Sequence, residues 1–458
     1  MSIDRYARSL SLPLPEDILK RKWAGDLEGA SKAIDCYLAK QLPAMLRDRL
    51  ICEKERIRRL PTQYPWNRAE AIEKLRSLVP DITDEEFDAL ELEGRIDFIY
   101  IHGEKRYFVR FHRTLIKFPE FIARTGKTVD PKSEWLDPMI AKIKSNGQLR
   151  MRITLETGLQ LDEKQFVPGE YLAHLPFPAL SAQQSDIRLE AGDPDYLDEE
   201  TAPFRCAAWK RQMERWEDCT LRYSYTSEIR YADPLHAPAP DAPLYPAALP
   251  VEPADLAEDP PFIRFTPYLR TLAEELAGDE TEPVRKAWRF YEFVTKNVKY
   301  SFMRDYFQID NIGEYCAVNL KGDCGLQALL FINLCRIAGI PARWQSGMSL
   351  EPDYSGSHDW AQFWLDGWGW LFCDPSYGGG AYRVGATERH AFYFGNLDPA
   401  RMAANRIFQG SLSPEKKQLP VDPFDNQSGE LERTGAPLPF TGRDLDDTAT
   451  LISWDEIE

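Results

Sequence analysis

Residues 326–334 read LQALLFINL, an almost unbroken apolar run. Gly322-Asp323-Cys324-Gly325 stands before it, and Gly339 and Pro341 stop it a few residues later. Glycine and proline end a helix, so the run predicts one that is apolar on nearly every side and must be enclosed by other layers. Cys324 falls in its first turn. The unpaired N–H groups and positive dipole end found there favour a thiolate. The same N–H groups can hold the oxyanion that forms when a thiolate attacks a carbonyl.

A thiolate nucleophile needs a base, and the base needs a group to orient it. Two strands follow: Ser357-His358-Asp359-Trp360-Ala361-Gln362-Phe363-Trp364-Leu365, then Trp368 to Asp374, with Asp366-Gly367 between them as a hairpin signal. A three-residue loop, Leu365-Asp366-Gly367, sets Trp364 across from Trp368 and His358 across from Asp374, with Cβ atoms about 5 Å apart. A two-residue loop moves the pairing by one and puts the two side chains on opposite faces. In the first register Asp374 holds the imidazole in orientation and stabilises its charged form. Asp374 can equally cap the turn before Pro375 and Gly378. The tryptophans at 344, 360, 364, 368 and 370 read as sheet core, part of which can line a groove, and Gly378-Gly379-Gly380 as a flexible rim.

Four ordered elements, Gly322-Asp323-Cys324-Gly325, Gly339-Ile340-Pro341-Ala342-Arg343, Ser357-His358-Asp359-Trp360 and Gly369-Trp370 through Cys373-Asp374-Pro375-Ser376, resemble the transglutaminase-like superfamily. Phe394 to Arg401 is similar to bacterial members. The resemblance spans roughly residues 265–410. It implies an α+β, papain-like core, with the Cys helix packed on an antiparallel sheet. Cys324 is then the nucleophile, His358 the base and Asp374 the orienter. It further implies an aromatic residue upstream of the Cys helix that helps hold the oxyanion or substrate. Tyr300 is the candidate, with Trp360 as a second contact. Animal members carry Trp directly after the Cys, where this chain has Gly325. No acidic cluster has calcium-loop spacing.

The remaining seven cysteines (36, 52, 206, 219, 316, 335 and 373) read as packing residues, and the histidines other than His358 as structural. CxxC pairs, HExxH and Walker loops are absent from the sequence, so no metal or cofactor is expected. The net charge of −17 argues against nucleic acid and anionic membranes as partners and suits a neutral or cationic peptide or protein substrate. The N-terminus lacks the apolar core of a secretory signal, and no apolar run reaches the roughly 18 residues of a membrane span, so a cytoplasmic location is expected. The sequence is silent on oligomeric state.

Hydrophobic periods divide the 458 residues. Residues 1–127 read as mainly helical, with a break from Arg58 to Trp66. A hairpin follows, with Ile96, Phe98 and Tyr100 on one arm and Tyr107, Val109 and Phe111 on the other. Residues 128–233 alternate as strands. Residues 234–261 hold nine prolines and read as an extended linker. A catalytic unit occupies 262–410, and 411–458 is an extension packing on the body. The expected function is cysteine-dependent amide or peptide acyl transfer through a thioester, hydrolysis in preference to crosslinking. The alternative is an inactive scaffold that binds peptide or protein partners.

Overall fold

The computed structural model describes residues 3–245, 249–352, 354–419, 427–435 and 445–458. The N-terminal region is built from helices Ile3–Ser9, Glu16–Trp23, Leu27–Leu38, Ala44–Gln63, Arg68–Arg76 and Asp84–Leu92. Asn67 and Glu70 form a reciprocal capping box at one start, and Thr83 caps another ahead of three acids. Leu50, Ile57, Leu75, Phe87 and Phe111 share an apolar core separate from the rest of the molecule. The break expected at Arg58 is not there. The helix runs on to Gln63 with Pro61 inside its last turn, where a proline removes a single late hydrogen bond. The hairpin pairs Phe98–Ile101 with Glu104–Tyr107 about His102 and Gly103, both left-handed. Phe111 leaves it and begins a short helix, Phe111–Leu115.

Residues 148–230 supply three strands to each of two four-stranded sheets. Gln148–Leu161 pairs with Cys219–Arg230, and Gly169–Pro176 with Cys206–Met213. Alternate residues such as Met151, Ile153, Tyr223 and Tyr225 are buried between the layers. One edge of each sheet is closed from the far end of the chain: Leu445–Glu456 joins Gln148–Leu161, and Glu430–Arg433 joins Gly169–Pro176. The proline-rich stretch is not a free spacer. It is pinned on the 354–373 hairpin, with Leu244 N–H donating to Trp368 O at 3.2 Å and the Trp370 indole donating to Leu249 O at 2.8 Å.

Five antiparallel strands make the sheet that carries His358, in the order Phe394–Gly395, Gly369–Cys373, Tyr354–Leu365, Ala342–Glu351, Arg401–Asn405. Helix Cys324–Ile337 packs on Tyr354–Leu365, with the Phe331 and Phe363 rings 5.7 Å apart. Residues Gly325 to Arg336 of this helix are all buried, as an all-round apolar helix requires. The other side of the sheet meets the β-rich layers: Trp360 donates to Gln345, which is bonded to Gln183. One continuous apolar core runs through both regions.

The hairpin register differs from the expected one by two residues. Leu365 pairs with Gly369 and Trp364 with Trp370 around a loop of Asp366-Gly367-Trp368. Gly367 (φ 81°) and Gly369 (φ 83°) both take left-handed conformations, and Trp368 N–H closes the loop on Leu365 O at 3.1 Å. A shift of two keeps every side chain on its expected face, but the ladder ends at Ala361–Cys373, so Asp374 is not the direct cross-strand partner of His358. The glycine run at 378–380 is likewise no flexible rim. It lies within helix Pro375–Arg383, where a Cβ on Gly378 would sit 1.9 Å from the Tyr291 hydroxyl.

Candidate active site

Cys324 is the first residue of its helix. The N-cap before it is Asp323, whose Oδ1 accepts from Leu326 N–H at 3.3 Å and from the Tyr306 hydroxyl at 2.8 Å. Burial raises the Asp323 carboxyl to about 6 despite those donors. The thiol itself donates to Asp359 Oδ2 at 3.2 Å. Burial, and then the Asp359 and Asp323 carboxylates, push the thiol well above its ordinary value. This corrects the expectation of a thiolate at the helix start. The helix end is occupied by a carboxylate cap, and a second carboxylate faces the sulfur; both favour the neutral thiol over the thiolate.

His358 and Asp374 are brought together. His358 Nε2 lies 2.7 Å from Asp374 Oδ2, with both side chains buried. Asp374 reaches the imidazole as the N-cap of helix Pro375–Arg383, where its Oδ1 accepts from Tyr377 N–H at 2.9 Å. The capping role and the histidine contact are therefore served by one carboxylate, an oxygen each. Arg401 donates to Asp374 Oδ2 at 3.1 Å and lies 2.9 Å from Asp398 Oδ2. Its guanidinium is stacked 3.9 Å from the Tyr377 ring centroid, and that ring packs 4.9 Å from the imidazole. Burial alone would raise the Asp374 carboxyl, but His358 and Arg401 outweigh it and hold it below the usual range. Burial lowers His358, and the pull of Asp374 recovers only part of that.

A cavity of about 190 Å³ surrounds the sulfur, lined among others by Tyr300, Tyr306, Asp323, Ser357, Asp359 and Gln427. Tyr300 is set beside Cys324 by a parallel bridge to Gly322. Burial and the neighbouring Cys324 raise its hydroxyl, which keeps it a proton donor. Trp360 does not line the cavity. It is fully buried, stacked beside His358. His358 and Asp374 also lie outside the lining, and no hydrogen bond joins Cys324 to His358 in this structure. The cavity wall is fastened from the N-terminal helices. Gln63 exchanges two hydrogen bonds with Asp305 (2.6 and 3.0 Å), Gln308 donates to Arg56 O at 2.8 Å, and Phe302 N–H donates to Thr114 Oγ1 at 3.0 Å.

Sequence reasoning missed four residues. Asp359 stood inside the His-Asp-Trp motif but read as a spacer. Tyr306 had an indirect signal in Gly325, since a Cβ there would meet the Tyr306 hydroxyl at 2.2 Å. Arg401 closed the Phe394–Arg401 stretch without an assigned role. Gln427 had no signal at all. Six of the seven other cysteines are buried and none forms a disulfide, whereas Cys36 is exposed and is therefore not a core residue. Among the described residues no group of three His, Cys, Asp or Glu could hold a metal ion, and no helix is long and apolar enough to cross a membrane.

Solved structures similar to the chain include a "Putative Cysteine Protease" from Cytophaga hutchinsonii (13% identity, TM-score 0.41), the match covering 68% of this chain and 91% of that one. They also include the periplasmic domain of TgpA from Pseudomonas aeruginosa (16% identity, TM-score 0.28), covering 56% of this chain and 96% of that one. None of the curated proteins compared is similar to the chain. Residues 270–375, the segment that holds the Cys324 helix, the His358 strand and Asp374, match the family model of the transglutaminase-like superfamily.

Proposed function

We propose that the chain is a cysteine enzyme that cleaves or transfers amide acyl groups through a thioester on Cys324. The observation that carries this reading is the buried His358 Nε2–Asp374 Oδ2 pair at 2.7 Å, on the strand packed against the helix that Cys324 begins. With Nε2 committed to Asp374, Nδ1 is the nitrogen left to serve the thiol. In the reaction the thiol turns from Asp359 and passes its proton to His358. Sulfur then bonds the amide carbon, and the imidazolium returns the proton to the departing amine. Water or a second amine, deprotonated by His358, breaks the thioester and restores the thiol. The oxyanion donors in this reading are the Cys324 and Gly325 N–H groups at the helix start and the hydroxyl of Tyr300, which lines the same cavity. The acidic surface favours neutral or cationic peptides as acyl donors. Hydrolysis is the favoured outcome.

The test is intact-mass analysis after incubation with candidate peptides and amides. An acyl adduct that maps to Cys324 and is lost in His358→Ala supports the reading. An adduct on another cysteine, one unaffected by His358→Ala, or none with any amide, overturns it in favour of a non-catalytic scaffold.

A further inference from the structure

Asp359 holds two groups at once. Its Oδ2 takes the Cys324 thiol, and its Oδ1 takes the side-chain amide of Gln427. The same Gln427 Nε2 donates to the His358 carbonyl at 3.0 Å. Gln427 is only 5% exposed, and Ser428 beside it places its Oγ 3.0 Å from Ser357 Oγ. All of these contacts come from side chains. The anchor that follows is of a different kind. Glu430–Arg433 is laddered to Gly169–Pro176, Lys416 pairs with Glu430 in a buried ion pair at 2.6 Å, and Glu432 accepts from Lys417 and Gln418 N–H at 3.0 and 2.8 Å. A backbone ladder and a buried pair stay in place under conditions in which two side-chain hydrogen bonds exchange.

We propose that Gln427 is an intrachain occupant of the amide subsite beside Cys324, an autoinhibitory contact that must withdraw before an external peptide reaches the sulfur. The proposal rests on the reading of Cys324 as the nucleophile. The His358 carbonyl and the Asp359 carboxylate are acceptors for an amide N–H, and one amide at a time can use them. While Gln427 does so, the cavity is walled on that side and the thiol stays paired with Asp359.

The experiment is alkylation of the full chain by iodoacetamide across pH, with each cysteine followed by peptide mapping and exposed Cys36 as internal reference. The limiting rate approached at high pH reads access to Cys324. The midpoint reads its environment. Gln427→Ala raises the limiting rate at Cys324 several-fold and leaves Cys36 unchanged. Gln427→Glu does the same, because a second carboxylate is repelled by Asp359. Should labelling of the buried cysteines reveal that Gln427→Ala has unfolded, Ser428→Ala supplies the same readout. An unchanged limiting rate in the folded variants overturns the occlusion. A midpoint that does not move in His358→Ala counts instead against the nucleophile reading, so the two failures are distinguishable.

Discussion

Cys324 Sγ and Asp359 Oδ2 are 3.2 Å apart, and Asp359 directly follows His358, whose imidazole is bonded to Asp374. Consecutive residues of one strand therefore serve opposite ends of the site, one holding the thiol and the other the orienting carboxylate. The alternation of an extended strand makes this unavoidable. The carboxylate facing the sulfur favours the protonated form, and in the proposed reaction that contact breaks before the sulfur attacks.

Asp359→Asn removes the charge facing the sulfur while keeping an oxygen that can accept from it. The pH midpoint for alkylation of Cys324 is expected to fall, and every tenfold rise in the proton concentration at that midpoint gives about tenfold more thiolate at neutral pH. The measurement is the alkylation rate against pH. A midpoint that stays where it is would show that burial and Asp323 set the thiol without Asp359.

Arg401→Met keeps most of the volume and removes the cation between Asp374 and Asp398. Two buried carboxylates then lose a partner, a change that costs about 3–5 kcal/mol in comparable buried pairs. Calorimetry or denaturant unfolding checks it. A loss below about 1 kcal/mol would mean that Asp374 is held by His358 and its helix cap alone.

Gly325→Ala drives a methyl group into the Tyr306 ring, whose hydroxyl bridges Asp323 and Asp359. The variant is expected to lose stability by about 1–3 kcal/mol, the usual cost of overpacking. The double variant with Tyr306→Ala should cost less than the two single changes together. Additive losses in the double-mutant cycle would remove Tyr306 as the reason for the glycine.

Asp323 titrates at about 6 in the folded chain, above its ordinary 3.8. A raised carboxyl contributes stability that is fully present below pH 3.8 and is lost as pH rises through about 6. Asp323→Asn keeps an oxygen for the Leu326 N–H and abolishes the titration. The stability difference between variant and wild type, measured from about pH 4 to pH 7, should move in favour of the variant as pH rises. A difference that stays flat would refute the raised value. His358, which burial lowers, acts in the opposite sense, contributing stability that is lost as pH falls below 6.5, so the comparison is made as a difference.

Local chemistry was legible where one stretch of chain decides it. The Cys324 helix, its stop at Gly339 and the strand alternation within residues 128–233 depend on neighbours within a few positions. The pairing parity that places His358 and Asp374 on compatible faces was readable too. The register itself was not, because it turned on which of two nearby glycines, Gly367 or Gly369, would close the loop. Both do.

The electrostatics of the sulfur were not legible. A helix start favours a thiolate only when its dipole end is free and no anion is near, and here Asp323 occupies the cap while Asp359 arrives from a strand 35 residues away. Gln427, Arg401 and the Gln63–Asp305 brace reach the site from still more distant positions. The sequence by itself determined which residue types are available for acyl chemistry and which local elements carry them, since propensity, capping and period are short-range. Only the tertiary structure decided which carboxylate meets the thiol and which meets the imidazole. It also decided what covers the cavity, because those contacts are made by segments that packing alone brings together.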